Sequence, residues 1–181
     1  ISVDDGWTSA ADPEDGDGEP PPLKTTVRIA AARTIISRND SPDIPFTQSI
    51  NPYQGCEHGC VYCFARPTHA YLGLSPGLDF ESKLFMKPDA PALLERELAT
   101  PGYTPRTIAI GTNTDPYQPI EREWEVTRQI IEVLAEHEHP FTIVTKGALV
   151  ERDLDLIAPM AANGMARVYL SITTLDKTLA R

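Results

Sequence analysis

The sequence predicts an α/β chain built on a parallel sheet, about four β/α units long, preceded by a disordered acidic tail. Three observations predict this. Short apolar runs bounded by turn residues alternate with helical stretches of ten to eighteen residues, the pattern of strands joined by helical crossovers. Each run ends in polar residues on one presumed face, where parallel barrels place their sites. Residues 1–23 carry seven acidic side chains, no Lys or Arg, and the stretch Glu19-Pro20-Pro21-Pro22. Such a segment buries too little apolar surface to offset its ordering entropy.

Residues 24–45 are expected to be a lead-in segment packed against the main domain, with an apolar run at Val27–Ile36 and turn formers from Asn39 to Asp43. The core domain is expected over 46–181. Phe46–Tyr53 predicts a first strand that enters a cysteine loop directly, and a short helical stretch after Cys63 ends near Gly73. Pro88–Thr100 supplies strong helix formers behind a proline start. Arg106–Gly111 predicts a short buried strand, with Thr112–Tyr117 as the loop beyond it. Pro119 opens an amphipathic helix whose Ile120, Trp124, Thr127, Ile130, Ile131 and Leu134 recur at three- and four-residue steps. Pro140 stops it, and Phe141–Thr145 is the third strand. Val150–Ala162 predicts a helix closed by Asn163-Gly164, and Ala166–Ile172 the fourth strand.

These strands lead to Cys56, Cys60 and Cys63; to Thr112, Asn113, Thr114 and Asp115; to Thr145 and Lys146; and to Ser171, Thr173 and Thr174. One polar residue at a strand end is commonly a loop residue or helix cap. Four consecutive strands with the same feature point to a shared site.

Every cysteine lies in Cys56-Glu57-His58-Gly59-Cys60-Val61-Tyr62-Cys63. Three thiols this close, with no fourth, point to one inorganic centre. Iron–sulfur clusters are usually held by four thiolates, so three leave one iron open to another ligand. Gly55 and Gly59 relieve the backbone restriction on a loop that must curl. The same loop also admits a zinc site closed by His58 or His69. Its C-x3-C-x2-C spacing departs from the paired C-x2-C of zinc knuckles and favours the cluster.

With Tyr62 before the last cysteine, this spacing resembles the signature of the radical S-adenosylmethionine (radical SAM) superfamily. Asn51-Pro52-Tyr53-Gln54-Gly55-Cys56 and Thr112-Asn113-Thr114-Asp115-Pro116-Tyr117-Gln118-Pro119 resemble its subgroup related to spore photoproduct lyase. The resemblance runs from roughly residue 33 to the end. It implies a partial (β/α)6 barrel, of which the chain holds about four units. It also implies a [4Fe-4S] cluster on Cys56, Cys60 and Cys63, with S-adenosylmethionine on the open iron. Lys146 and Ser171 match positions that contact that cofactor in the lyase relatives; an ammonium suits its carboxylate and a hydroxyl its amino acid or ribose. Tyr62 is expected against the adenine, and Thr173 is carried with Ser171 at the fourth rim. Thr112 to Asp115 sit where the superfamily's second-strand motif binds the amino group. Its Gly-Gly-Glu form is absent, so the choice among the four stays open.

The implied reaction is reductive cleavage of S-adenosylmethionine to methionine and a 5′-deoxyadenosyl radical, fed by a low-potential donor of the flavodoxin or ferredoxin type. The lyase's DNA repair is not carried over. No cysteine remains as a thiol hydrogen donor, and no basic, aromatic-rich surface for extracting a base is visible. Tyr117 or Tyr169 could quench a radical, with a structural role as the plain alternative.

With 41% hydrophobic and 23% charged residues in 181, the composition is that of an ordinary globular protein. No apolar run approaches the roughly eighteen residues of a membrane span. No basic stretch leads into an apolar core at the start. An odd count of clustered cysteines disfavours a disulfide framework, so the expected compartment is the cytoplasm. The net charge of −10 is concentrated in the tail, leaving 16 basic against 19 acidic residues elsewhere. That balance neither excludes a nucleic-acid substrate nor argues for one. The chain opens on Ile1 and stops about two-thirds of the way round a barrel, so a piece of a longer protein, or a partner that completes the sheet, is expected. The competing function is a non-catalytic structural metal-binding module, iron–sulfur or zinc, or an inactive fragment that lacks substrate contacts.

Overall fold

The structure, a computed structural model, describes residues 24–176; the acidic tail expected over 1–23 lies outside the described residues. The predicted parallel sheet is present. Strands β1 (Thr26–Ile29), β2 (Ser37–Arg38), β3 (Gln48–Ile50), β4 (Tyr53–Gln54), β5 (Lys83–Met86), β6 (Ile108–Ile110), β7 (Phe141–Thr145) and β8 (Ala166–Leu170) form two sheets. The larger has the order β2-β3-β6-β7-β8, in which β3, β6, β7 and β8 run parallel and β2 pairs antiparallel at one edge. The smaller has the order β1-β5-β4.

The second sheet is absent from the sequence-based expectation. Lys83–Met86 is only four residues long and follows a five-residue helix, α1 (Leu78–Ser82), without a turn signal. Its Leu84 and Met86 are nevertheless fully buried. The expected first strand is divided. Pro52 offers no N–H to a ladder, and the chain crosses there from β3 in the large sheet to β4 in the small one. The lead-in segment likewise contributes a strand to each sheet rather than only packing against them.

Helix α2 (Ala90–Leu98) falls inside its predicted range. The helix expected from Pro119 is broken at Glu125, whose φ is +49°, into α3 (Glu121–Trp124) and α4 (Val126–Glu136). The Glu121 carboxylate accepts from the N–H groups of Thr127 (3.0 Å) and Arg128 (3.2 Å), donors that the first turn of α4 would leave unpaired. The break turns Trp124 outward and leaves Val126, Thr127, Ile130, Ile131 and Leu134 as the buried stripe. A 3-10 turn, Ala148–Asp153, precedes α5 (Leu154–Ala162), and Gly164 ends that helix at φ +73°.

Ile50, Ile108, Ile110, Phe141 and Ile143 join Val126, Ile130, Ile131 and Leu134 of α4 and Leu94 of α2 in one core, each such side chain contributing about 1.5–3 kcal/mol. Alternation along β7 turns Thr142 and Val144 to the other face, with Arg167 and Tyr169 in register beside them. There they line an open trough of about 640 Å³ that also takes in Phe46, Ala109 and Thr112. This trough lies on the face of the large sheet away from the core that α4 and α2 cover. Among the described residues no helix is long and apolar enough to cross a membrane.

Candidate active site

The cysteine loop springs from the end of β4. The Cys56 N–H donates to Phe80 O (2.9 Å) and the Cys63 N–H to Cys60 O (3.1 Å), so backbone bonds set the curl. Gly55 is required: at φ +80°, a Cβ there would lie 2.8 Å from Phe80 O and 2.7 Å from Leu84 Cδ2. Cys56 is buried, Cys60 and Cys63 half-buried, and all three thiols are free. Burial pushes the Cys56 thiol up to about 12.

A cavity of about 180 Å³ lies over the loop, lined by the three cysteines, His58, Tyr62 and Phe64, by Gly111 to Asp115 after β6, by Val144 to Lys146 after β7, and by Ser171 after β8. Alone it is smaller than a usual ligand pocket, and it adjoins the trough, with which it shares Thr112 and Val144. Lys146 reaches across it. Its Nζ lies 2.9 Å from Cys60 Sγ and 3.1 Å from Tyr62 Oη, over the tyrosine ring at 5.4 Å from the centroid. Hydrogen bonds to Cys60 and Tyr62 hold its ammonium above the usual lysine range.

Asp115 ties the rims together rather than facing outward. Its Oδ1 accepts from Thr145 Oγ1 (2.6 Å) and the Tyr117 N–H (2.9 Å), and its Oδ2 from the Lys146 N–H (2.8 Å). His58 Nε2 lies 3.5 Å from Oδ2 and has no hydrogen-bond partner among the described residues. Burial pulls this imidazole below its usual 6.5, with Asp115 opposing.

The structure therefore brings together Cys56, Cys60, Cys63, Tyr62, Thr112, Asn113, Thr114, Asp115, Lys146 and Ser171. Thr173 is exposed and lies outside the lining. His69 is not with the thiols' cavity: fully buried, its Nε2 contacts Lys83 O at 2.9 Å, and its ring meets the edges of Phe80 and Phe85. Tyr117 also points away, its buried hydroxyl donating to Asp153 Oδ2 at 3.0 Å, while Tyr169 lines the trough. Sequence reasoning gave no role to Asn51, Glu57 or Gln118, which brace the loop; Asn51 and Gln118 stand in the two quoted blocks, which was the available signal.

The residues fit the implied groups. Three free thiols line one cavity beside an unpartnered imidazole nitrogen, with an ammonium across its mouth. Among the described residues, no three His, Cys, Asp or Glu side chains converge closely enough to hold a bare ion. A family model described as the radical SAM superfamily matches residues 50–181. The chain belongs to the radical SAM superfamily.

Relatives of this radical SAM chain include the uncharacterized protein Rv2578c of Mycobacterium tuberculosis, 44% identical over 138 residues, covering 76% of this chain and 41% of that protein. The uncharacterized protein MJ0683 of Methanocaldococcus jannaschii is 30% identical over 132 residues, covering 73% of this chain and 46% of that one. The chain thus spans less than half the length of these curated relatives. Among solved structures, spore photoproduct lyase complexed with dinucleoside spore photoproduct matches with a TM-score of 0.55 at 19% identity, over 81% of this chain and 39% of that one. The match shows a shared fold, the partial radical SAM barrel.

Proposed function

We propose that Cys56, Cys60 and Cys63 hold a [4Fe-4S] cluster and that the cavity over them takes S-adenosylmethionine, making the chain the cofactor-binding part of a radical SAM enzyme. The observation that carries this is the approach of Lys146 Nζ to within 2.9 Å of Cys60 Sγ, from 86 residues further along the chain. The chemistry such cofactors supply is one-electron reduction of the sulfonium, giving methionine and a 5′-deoxyadenosyl radical that takes a hydrogen atom from the substrate.

The protein's own part is binding and orientation. Lys146 places a fixed positive charge for the cofactor carboxylate, and its stem and Tyr62 form one wall. Ser171 offers a hydroxyl at the neighbouring strand end, its N–H donating to Thr145 O at 2.8 Å. Of Thr112 to Asp115, three are engaged with the protein: Thr112 with Asn51, Thr114 with Tyr53 O, and Asp115 with Thr145, Tyr117 and Lys146. Asn113 alone is exposed to the cavity with no side-chain hydrogen bond among the described residues. Its amide, donor and acceptor together, is therefore assigned to the cofactor's amino-acid end. An electron donor of flavodoxin or ferredoxin type and a cytoplasmic location belong to the same proposal.

The test is anaerobic reconstitution with iron and sulfide, then incubation with dithionite and S-adenosylmethionine. Wild type should release 5′-deoxyadenosine. Lys146→Ala should bind the cofactor about tenfold more weakly by calorimetry, the loss of one charge-assisted hydrogen bond, with its iron content unchanged. Stoichiometric zinc in place of iron and sulfide, with no 5′-deoxyadenosine, would instead place the chain with structural metal modules.

A further inference from the structure

The two sequence blocks, residues 51–56 and 112–119, lie side by side and are laced together. Asn51 Nδ2 donates to Thr112 Oγ1 (3.0 Å) and its Oδ1 accepts from the Asn113 N–H (2.8 Å). Two residues on, Tyr53 O accepts from Thr114 Oγ1 (3.2 Å). The lacing ends at Gln118, which is fully buried. Its Nε2 donates to Gly55 O (3.2 Å) and its Oε1 accepts from the Glu57 N–H (3.0 Å). One amide thus grips the peptide groups on both sides of Cys56. Glu57 returns the contact, its Oε2 accepting from the Ile120 N–H at 2.9 Å. Neither Gln118 nor Glu57 lines the cavity.

We propose that Gln118 is a positioning residue for the cysteine loop: it fixes the backbone that carries the first thiol and locks that thiol's orientation to the rim that carries Asn113 and Asp115. The proposal rests on the ligand assignment above. An amide suits the task because it offers a donor and an acceptor in one fixed plane, matching a carbonyl and an N–H two residues apart. A loop that must present three ligands to one centre gains affinity when held in place beforehand, and groups that orient ligands typically govern about 10- to 100-fold in metal affinity. The Cys60 carbonyl has a separate brace, Arg66 Nε at 2.9 Å. Loss of Gln118 should therefore be felt at Cys56 before Cys60 or Cys63.

The test uses Gln118→Glu and Gln118→Ala in the full chain, with Glu57→Ala as a variant that removes only the returning contact. Gln118→Glu keeps size and one acceptor but sets a carboxylate oxygen against Gly55 O. Two readouts are taken: iron loss to a chelator from the reconstituted protein, and the alkylation rate of each thiol in the metal-free protein, mapped by peptide mass. Both Gln118 variants should lose iron about 10- to 100-fold faster than wild type, and Glu57→Ala less so. Cys56 should alkylate faster, with Cys60 and Cys63 unchanged. Wild-type rates for iron loss and for Cys56 in the variants that fold would overturn the proposal, as would equal acceleration at all three thiols. If wild type takes up no cluster, the ligand assignment fails, whereas Cys56-selective alkylation still decides whether the brace exists.

Discussion

His139, just before β7, is buried with its Nδ1 3.1 Å from Pro140 O and its Nε2 2.8 Å from Tyr103 Oη. The bonding is consistent when Nδ1 carries the proton and Tyr103 donates to Nε2, with the Gln48 amide turned so that its nitrogen donates to the same hydroxyl at 3.0 Å. Burial holds this imidazole below its usual 6.5. The folded state therefore favours the neutral form, and its contribution is complete above the unfolded value and lost as pH falls below it. Denaturant unfolding of the metal-free protein should show stability declining as pH falls from about 7 to 5. His139→Gln should flatten that decline, leaving the part due to His58, which burial shifts the same way. An unchanged profile in the variant would contradict this account.

Among the elements, the junction of α3, α4 and the turn before α5 is held by buried charge. Glu121 and Asp153 are fully buried. Arg152 Nη2 donates to Glu121 Oε1 (2.8 Å) and Nε to Asp153 Oδ1 (2.7 Å), while Tyr53 and Tyr117 hydroxyls donate to Glu121 and Asp153. Arg128 also reaches Asp153, at 3.0 Å, so Glu121 depends most on Arg152. Arg152→Met should cost about 3–5 kcal/mol in urea unfolding by leaving a buried carboxylate without its cation, and adding Glu121→Gln should not restore it, because both Glu121 oxygens accept backbone N–H groups and an amide NH2 would face one of them. A cost of about 0.5 kcal/mol, that of a surface change, would contradict this. The same junction shows what the sequence hides. Ile120 to Leu134 keeps helical spacing across Glu125, so periodicity reads one helix, whereas the break depends on a carboxylate four residues back capping the next segment. Elements with their own punctuation, Pro88–Thr100, Arg106–Gly111, Phe141–Thr145 and Ala166–Ile172, were legible within a few residues. β5 and the small sheet were not, because a four-residue strand acquires its identity only from β1 and β4 beside it.

At the scale of the whole molecule, β3, β6, β7 and β8 bring their ends to one rim, and the small sheet carries the cysteine loop back over it. The gathering of these residues was legible because the thiols, Lys146 and Ser171 stand just past strand ends. Its bracing was not, because Asn51 and Gln118 act only through contacts about sixty residues away in sequence. The most direct test of the central claim is the EPR spectrum of the anaerobically reconstituted, dithionite-reduced chain, with and without S-adenosylmethionine, beside Cys60→Ala. The account predicts a [4Fe-4S]⁺ signal that changes when the cofactor is added, and no intact cluster in the variant. A signal indifferent to the cofactor, or a full cluster in Cys60→Ala, would contradict it.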